Sequence, residues 1–347
     1  MNYIIFGGTG FIGNHLANLL HEQHPEASIW NLDIVDPAKL VGMDEKALRE
    51  YTTIKGWKSP VVDGDTRKAT FVYCDVRKPI QNLPFTPTAE DVVFNFAAVH
   101  RTPGHPDEAY FEANIRGAEN VCAFAEAYGI KNMVFTSSIA PYGAAEELKT
   151  EDTLPTPNTP YGISKLVAEK IHQTWLAGAA DRKLTIVRPG VVFGKGENGN
   201  FSRLYSGIRK HMFAYPGRKD TIKACIYVKE LVNFILWNVE TRPSKLEIFN
   251  CTYEPAYTIE QIVGIMKKQT GLTQFVPYIP NFVIQPLAFC AMLVGSPMGI
   301  CPARVKKLQI STNICGKKLA ASGYKMKWTF EEAIADWFAD NKGTCLQ

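Results

Sequence analysis

The chain has 347 residues, more than one compact core usually holds, so its length predicts two coupled domains or one large α/β unit. Hydrophobic residues make up 46% of the chain and charged residues 21%, a composition that excludes a disordered protein. The 38 basic and 34 acidic side chains leave a net charge of +4, which we take to be spread along the chain. We therefore expect no nucleic-acid partner.

Eight cysteines stand at irregular positions, without a CxxC pair or a Cys/His cluster at zinc spacing. This pattern predicts reduced, mostly packed thiols and no metal site. The first residues enter an apolar strand directly, without the basic and apolar regions of a signal peptide. These features predict a cytoplasmic protein.

Short apolar runs alternate with segments of helical periodicity along the first 190 residues. A strand at Met1–Phe6 leads through a glycine turn into a helix at Phe11–Leu20. This alternation predicts an α/β fold with a doubly wound parallel sheet. The further predicted strands are Ser28–Leu32, Thr70–Cys74, Val92–Ala97, Asn132–Phe135 and Leu184–Val187, and the helices between them are Glu108–Tyr128 and Tyr161–Leu176.

Two segments depart from this alternation. The stretch 39–68 is polar and too long for a single crossover, which predicts an insertion or surface lid. Phe282–Val294 is the most apolar stretch, but Gln285 and Pro286 interrupt it, and it ends well short of the ~20 residues that a membrane span needs. We expect a buried or substrate-lining helix there and no stable membrane insertion.

The glycine turn carries the first functional motif. It follows a predicted strand and opens a predicted helix, so its backbone and the first helical N–H groups can approach a pyrophosphate. Asp33 lies 20 residues beyond its last glycine, where a carboxylate binds the ribose hydroxyls and repels a 2′-phosphate. NAD is therefore favoured over NADP. The predicted cofactor contacts here are Gly7, Gly10, Phe11, Ile12, Gly13 and Asp33, joined by Asp75 and Val76 if these bracket the adenine rather than close an ordinary turn.

A tyrosine and a lysine at helical spacing form the second motif. Tyr161 and Lys165 share one face at the start of a predicted helix. A phenol has an ordinary pKa of about 10, and a lysine ammonium beside an oxidised nicotinamide lowers it. The pair can then shuttle a proton for an alcohol and its carbonyl. Ser138 ends a neighbouring strand and either hydrogen-bonds the reacting oxygen or serves as a helix cap.

Together these motifs resemble the extended short-chain dehydrogenase/reductase superfamily, in particular its NAD-dependent nucleotide-sugar epimerase/dehydratase group. The match extends to Asn95-Phe96-Ala97-Ala98, Asn114-x-x-Gly117, Tyr142-Gly143 and Arg188–Gly194. The resemblance implies a Rossmann sheet that binds NAD, with Ser138, Tyr161 and Lys165 as the catalytic residues. It also implies cofactor contacts from Ala97, Ala98, Val99, Pro189 and Val191, and a homodimer through helices 108–128 and 161–176.

On this resemblance we divide the chain into two domains. Residues 1–189 form the Rossmann domain with the catalytic residues, and 222–250 return to it. Residues 190–221 and 251–347 form a smaller α+β substrate-binding domain, because the alternation weakens after Gly190. The elements predicted in this second half are the helices Phe201–Lys210, Val228–Asn238 and Ile259–Thr270 and the strand Leu246–Asn250.

The departures from the family pattern bear on the reaction. Dehydratases of the group place an acidic pair after the catalytic Ser or Thr, where this chain has Ile139-Ala140. Many 4-epimerases carry Asn at the position of Val191 and Arg at that of Lys223, and lysine lacks the bidentate fork of arginine. The resemblance thus implies oxidoreduction at C4 of a nucleotide-diphosphate sugar, by a 4-epimerase or a 4-keto-sugar reductase.

The predicted substrate contacts are Ser138, His100, Asn200, Arg218 and Lys223. A plain loop residue and an ordinary helix cap remain the alternatives for His100 and Asn200. Two other functions also stay open. One is a 3β-hydroxysteroid or sterol-type dehydrogenase, suggested by the apolar segment 282–294, and the other is a protein that senses a dinucleotide without turnover.

Overall fold

The computed structural model of the chain describes most of its residues. These are 1–39, 69–100, 105–197, 199–241, 244–293 and 302–346. The predicted insertion therefore lies outside the described residues from residue 40 onward, as does Val294 at the end of the apolar segment.

Most of the strands belong to the first two-thirds of the chain. Numbered along the sequence, they are β1 (Asn2–Phe6), β2 (Ser28–Asp33), β3 (Thr70–Tyr73), β4 (Val92–Asn95), β5 (Asn132–Thr136), β6 (Ala145–Lys149), β7 (Lys183–Pro189), β8 (Val191–Phe193), β9 (Tyr215–Pro216), β10 (Ile222–Lys223), β11 (Cys225–Tyr227), β12 (Leu246–Cys251), β13 (Tyr257–Thr258), β14 (Tyr278–Ile279) and β15 (Thr312–Ile314).

The helices separate these strands and continue to the end of the chain. They are α1 (Phe11–Gln23), α2 (Asp107–Phe111), α3 (Gly117–Ala127), α4 (Pro160–Ala177), α5 (Asn200–Arg209), α6 (Val228–Thr241), α7 (Ile259–Thr270), α8 (Asn281–Leu293), α9 (Pro302–Gln309), α10 (Lys317–Ala320) and α11 (Phe330–Asp340). A π-helical turn at Glu112–Arg116 joins α2 to α3.

A seven-stranded parallel sheet forms the centre of the molecule, with the order β12-β7-β5-β4-β1-β2-β3. The order reverses between β1 and β4, so the loops that follow these two strands diverge at their carboxyl ends and leave a crevice. Ligands of open α/β sheets bind in such a crevice. The predicted α/β, doubly wound Rossmann fold is confirmed.

Apolar layers cover both faces of this sheet, as a parallel sheet requires. On one face α1 and α6 pack together over side chains such as Ile5, Phe94 and Val134. On the other face α3 and α4 pack together over Ile4, Val93 and Met133. Successive residues of the central strands therefore point into opposite layers, which holds the carboxyl ends of the strands in fixed positions.

The second half of the chain packs around a separate aromatic cluster and supplies every strand but β6 of three small sheets. Phe193 lies at the centre of the cluster, with Phe201, Phe330 and Trp337 around it. The sheets have the orders β13-β10-β15-β6, β11-β8 and β14-β9. This part therefore combines short strands with helices, whereas β12 and α6 pack with the large sheet. The domain boundaries themselves stay a prediction.

The predicted elements agree with the observed ones to within about two residues at most ends. The helix predicted at Glu108–Tyr128 is interrupted by the π turn at Glu112–Arg116, which the apolar spacing did not indicate. The expected burial of the segment 282–294 is wrong for Phe282, Leu287 and Phe289, which are exposed.

The described part of the chain contains no helix that is both long and apolar enough to cross a bilayer. Its cysteines are free thiols, and Cys74, Cys122, Cys225, Cys251 and Cys315 are buried.

Candidate active site

The glycine turn brings three backbone segments into close contact. A Cβ on Gly13 would lie 2.4 Å from the carbonyl oxygen of Gly7, and one on Gly7, whose φ is +80°, would lie 2.7 Å from the amide nitrogen of Ala97. There is thus no room for a side chain at the point where the end of β1, the start of α1 and the loop after β4 meet. The first turn of α1 carries no acidic residue, so its N-terminus offers N–H groups to an anion. This cradle fits the diphosphate of a dinucleotide.

Asp33 is fixed at the end of β2 by backbone donors. Its carboxylate accepts hydrogen bonds from the amides of Thr9, at 3.1 Å, and Val35, at 3.1 Å. Thr9 is itself held, since its hydroxyl donates to the carbonyl of Val35 at 2.8 Å and accepts from Asn31 at 2.9 Å. The glycine turn and the predicted ribose-binding carboxylate therefore form one connected unit.

Burial raises the pKa of Asp33 to about 6, while the amides of Val35, Thr9 and Ile34 lower it. The effect of desolvation on the pKa exceeds that of the amides, because no cation pairs with this carboxylate among the described residues. Hydroxyl donors from a ribose would stabilise its ionised form.

The predicted adenine residues follow β3 at the edge of the sheet and already have protein partners. Arg77 donates two hydrogen bonds of 2.8 Å to the carboxylate of Asp75, and this lowers the pKa of Asp75. Val76 packs close to Gly117 at the start of α3, and its carbonyl accepts from Asn120 at 2.7 Å.

The loop after β4 is tied to the helix that carries Tyr161. Asn114, in the π turn, accepts from the amide of Val99 at 2.8 Å and donates to its carbonyl at 3.0 Å. The same amide group donates to the hydroxyl of Ser164 at 2.9 Å. The segment of Ala97, Ala98 and Val99 is therefore positioned against α4, and His100 follows it as an exposed residue.

Ser138 and Tyr161 meet at the carboxyl edge of the sheet. The hydroxyl of Ser138 lies close enough to the Tyr161 phenol to lower its pKa through hydrogen bonding, and it accepts from the amide of Ala140 at 3.1 Å. Burial raises the pKa of Tyr161 to about 12, the Ser138 hydrogen bond lowers it, and the nearby phenol of Tyr110 raises it. As the protein stands, the phenol is therefore held in its neutral form.

Lys165 lies one turn further along α4 and is buried. Its ammonium donates to the carbonyl of Thr136 at 2.7 Å and lies 4.8 Å from the centre of the Phe135 ring. Burial lowers the pKa of Lys165 to about 7, whereas the carboxylate of Glu169 raises it. The trio of residues predicted to be catalytic, Ser138, Tyr161 and Lys165, therefore lies around the end of β5.

A neutral histidine lies beside this lysine. The ring of His172 stacks on Phe135 at 4.1 Å, and Nδ1 donates to the carbonyl of Ala168 at 2.7 Å. Its Nε2 must therefore accept the 3.1 Å hydrogen bond from Asn95. Burial lowers the pKa of His172 to about 4, so it adds no charge next to Lys165 near neutral pH.

A buried ion pair joins α4 to β7. Arg188 donates to both carboxylate oxygens of Glu169, at 2.8 and 2.6 Å, and neither side chain is appreciably exposed. Ser137 donates to Glu169 at 2.5 Å, and Arg188 donates to the hydroxyl of Tyr142 at 2.7 Å. This network fixes the residues on both sides of Ser138 relative to the helix that carries Tyr161 and Lys165.

The predicted nicotinamide segment follows β7. A Cβ on Gly190 would lie 2.6 Å from the carbonyl carbon of Ala224, and the amide of Val191 donates to the Ala224 carbonyl at 2.8 Å. Pro189 ends β7 and pairs with Cys251. Pro189 and Val191 are therefore held against the strand that begins just after Lys223.

Three of the predicted substrate residues, Asn200, Arg218 and Lys223, lie in the second half of the chain. Asn200 is exposed at the start of α5. Arg218 pairs with Asp220 and Glu146 and donates to the carbonyl of Gln309 at 3.3 Å. The ammonium of Lys223 donates to the carbonyls of Ile310, at 2.7 Å, and Leu308, at 3.3 Å. Arg218 and Lys223 thus meet at the end of α9.

Sequence reasoning missed the supporting groups. Glu169 could have been found, because it lies four residues after Lys165 on the buried face of the same helix, where a carboxylate needs a partner. The roles of Asn31 and Asn114 gave no local signal, since their partners lie 22 and 50 residues away along the chain.

Comparison with known proteins identifies what the chain resembles. Residues 3–252 match the model of the NAD dependent epimerase/dehydratase family. The N-acetyl-alpha-D-glucosaminyl-diphospho-ditrans,octacis-undecaprenol 4-epimerase of Escherichia coli O157:H7 is 30% identical over 340 residues, which cover 96% of this chain and 93% of that protein. The UDP-glucose 4-epimerase of Lactobacillus helveticus is 25% identical over 302 residues, 80% of this chain and 84% of that protein.

The solved structures agree in fold. The UDP-glucose 4-epimerase of Thermus thermophilus, in complex with NAD, superposes with a TM-score of 0.69 at 18% identity, covering 99% of this chain and 100% of that one. At this identity the likeness supports the fold alone.

The glycine cradle gives a first prediction. In Gly13→Ala the new methyl group would lie within 2.6 Å of two backbone atoms, so the turn must open. We expect calorimetry to show at least about tenfold weaker NAD binding. Gly264→Ala is the matched control, because nothing lies within 4 Å of its Cβ in α7. Equal NAD affinity in Gly13→Ala and the wild type would contradict the cradle.

Asp33 gives a second prediction, which concerns pH. Only its ionised carboxylate accepts hydrogen bonds from both ribose hydroxyls, and the pKa without ligand is about 6. NAD affinity should therefore be constant above that pH and fall as the pH drops below it, approaching tenfold per pH unit. Asp33→Asn should bind NAD more weakly and without this dependence. A wild-type affinity that stays constant down to about pH 5 would refute the assignment.

Proposed function

The chain belongs to the NAD dependent epimerase/dehydratase family, and from this premise we propose that it is a nucleotide-sugar 4-epimerase. The observation that carries the proposal is the juxtaposition of the Ser138 hydroxyl with the Tyr161 phenol, one helical turn from Lys165, whose ammonium contacts the end of β5. NAD is the cofactor of this family, and the glycine cradle and Asp33 fit it.

In the proposed reaction Tyr161 takes the proton of the sugar 4-hydroxyl. Ser138 donates a hydrogen bond to the same oxygen and keeps it next to the phenol. NAD, held by the glycine cradle and Asp33, would supply the hydride acceptor for C4 and the same hydride for its reduction. Tyr161 then gives the proton back to the 4-oxygen. The sugar ends as its C4 epimer, with no net oxidation.

The charges around Tyr161 support this order of events. Burial holds its pKa at about 12 and that of Lys165 at about 7, so the protein without ligand disfavours the phenolate. The positive charge of an oxidised nicotinamide and a charged Lys165 both act in the opposite direction. Proton transfer thus becomes favourable when the oxidised cofactor is in place.

The reductase alternative uses the same trio but needs a reduced cofactor in every turnover. The relatives reported above carry the name of 4-epimerases, which supports epimerisation over reduction, over a sterol-type dehydrogenase and over a non-catalytic sensor. The pair Ile139-Ala140 also lacks the acids of a dehydratase.

A second candidate differs in the carrier of the sugar. The Escherichia coli relative is named for a sugar diphosphate on a polyprenol. In this chain α9 packs against α8, whose described side chains include the exposed Phe282, Leu287 and Phe289. Arg218 and Lys223 contact the end of α9. An apolar surface thus adjoins two cations, an arrangement that suits a polyprenyl diphosphate as well as a nucleotide.

We also propose a homodimer and a cytoplasmic location. Phe111, Ile163 and Val167 are exposed apolar residues on α2 and α4, and these helices overlap the segments predicted to form the dimer. The buried free thiols, such as Cys122 and Cys225, are typical of a reducing compartment.

Tyr161→Phe tests the proton carrier. The change removes the hydroxyl and keeps the ring beside Tyr110, so NAD should remain bound while the rate of C4 inversion falls by about 10²-fold or more. Tyr128→Phe, on an exposed ring of the segment after α3, is the matched control. Wild-type turnover by Tyr161→Phe would rule out its role as acid and base.

A pair of substrates distinguishes the two carriers. We would compare C4 inversion of UDP-N-acetylglucosamine and of N-acetylglucosaminyl-diphospho-undecaprenol in the same detergent. The polyprenol candidate predicts a kcat/KM at least about tenfold higher for the lipid-linked sugar. A preference of that size for UDP-N-acetylglucosamine would instead establish the nucleotide sugar as the substrate.

A further inference from the structure

Helix α8 exposes its apolar side. At 100° per residue, the exposed residues Phe282, Val283, Pro286, Leu287, Phe289 and Cys290 fall within a sector of about 160°. Phe282 is 80% exposed and Leu287 54%. A helix on the surface of a globular protein normally turns its apolar side inward. An apolar outer face of this width indicates a binding surface.

The apolar face continues beyond α8. Phe275 is as exposed as Phe282, and Tyr278, in β14 just before the helix, is also exposed. Leu308 adds an exposed apolar side chain from α9, the helix that packs against α8. We call α8, α9 and the segment 275–280 the apolar platform.

Positive charge accompanies the apolar platform. The sequence from residue 261 to 330 contains nine Lys and Arg residues and no Asp or Glu. The rest of the chain, with 29 basic and 34 acidic residues, is net negative. The expectation of an evenly spread charge is therefore wrong. Three of the nine basic residues, Arg304, Lys306 and Lys307, belong to α9, and the exposed Lys268 ends α7 just before the segment that carries Phe275.

We propose that the apolar platform docks on the surface of an anionic phospholipid bilayer. The exposed face of α8 would lie at the boundary of headgroups and acyl chains, and the exposed Lys306 and Lys268 would contact the lipid phosphates. This mode lays a helix in the interface and needs no membrane-spanning segment. The function of this docking rests on the proposed polyprenyl-linked substrate, because such a substrate stays in the bilayer.

Charge favours a bilayer over a second copy of the chain as the occupant. Two identical platforms facing each other would bring Lys268 and Lys306 of both copies to one interface without an acid from the same segment to offset them. An anionic surface complements both features at once. The platform also adjoins Arg218 and Lys223 through the end of α9, so docking would hold the proposed diphosphate contacts near the lipid headgroups.

Sedimentation with vesicles tests the proposal without reference to catalysis. The full chain would be mixed with vesicles of phosphatidylcholine alone or with an equal part of phosphatidylglycerol. We expect sedimentation with the anionic vesicles, weakened by salt. The double variant Phe282→Ser/Leu287→Ser should lower the partition constant by at least about tenfold, and Lys306→Glu by about fivefold or more.

Matched controls distinguish binding through the apolar platform from nonspecific binding of the protein to vesicles. Leu154→Ser changes a leucine that is 80% exposed elsewhere, and Lys245→Glu reverses an exposed charge outside the platform. Both should partition like the wild type. Since all these side chains are exposed, melting temperatures should stay unchanged, and NAD binding reports that each variant is folded.

The outcomes are distinguishable from those of the epimerase assay. Wild-type protein that stays in solution with anionic vesicles, or controls that lose as much binding as the platform variants, would overturn the docking surface even if the enzyme inverts C4. Light scattering that shows a dimer dissociated by Phe282→Ser/Leu287→Ser, with no vesicle binding, would assign the platform to a second copy. Vesicle binding without epimerase activity would uphold the docking surface and refute the proposed function.

Discussion

The buried ion pair of Glu169 and Arg188 is the interaction on which the proposed catalytic geometry depends. Removing two charges from water costs several kcal/mol per ion, and good geometry with further hydrogen bonds must offset that cost. Here Arg188 binds both carboxylate oxygens, while Ser137 and Tyr142 supply the additional hydrogen bonds. The pair thereby fixes α4 against β7 and the end of β5. Tyr161, Lys165 and Ser138 are attached to those same elements.

This arrangement leaves the reacting groups in unfavourable charge states until a cofactor binds. Burial raises the pKa of Tyr161, lowers that of Lys165 and raises that of Asp33. NAD carries ribose hydroxyls for the carboxylate and, when oxidised, a positive ring for the phenol. Each would stabilise the form that burial disfavours. Cofactor binding and readiness for proton transfer are therefore coupled in the account proposed here.

Local motifs made most of the fold and the core of the candidate site predictable. The glycine turn, Asp33 and the Tyr161–Lys165 spacing each lie within one strand, turn or helix, so short-range sequence determines them. Asn114 and Arg188 hold that site through partners far along the chain, which spacing alone does not indicate. The burial expected for α8 is wrong for another reason, because apolar composition normally indicates burial. Its exposed side follows from the three-dimensional arrangement, and it is the basis of the proposed docking on a membrane surface.

The most direct test follows one hydrogen atom through a turnover. A diphosphate-linked sugar carrying deuterium at C4 would be converted in ordinary water with catalytic enzyme and NAD, and the epimer would be analysed by mass spectrometry. If bound cofactor takes the hydride from C4 and returns it to the opposite face, the C4 epimer retains its deuterium and no reduced cofactor accumulates. Loss of the deuterium to solvent, or a keto sugar formed together with an equal amount of NADH, would contradict the account.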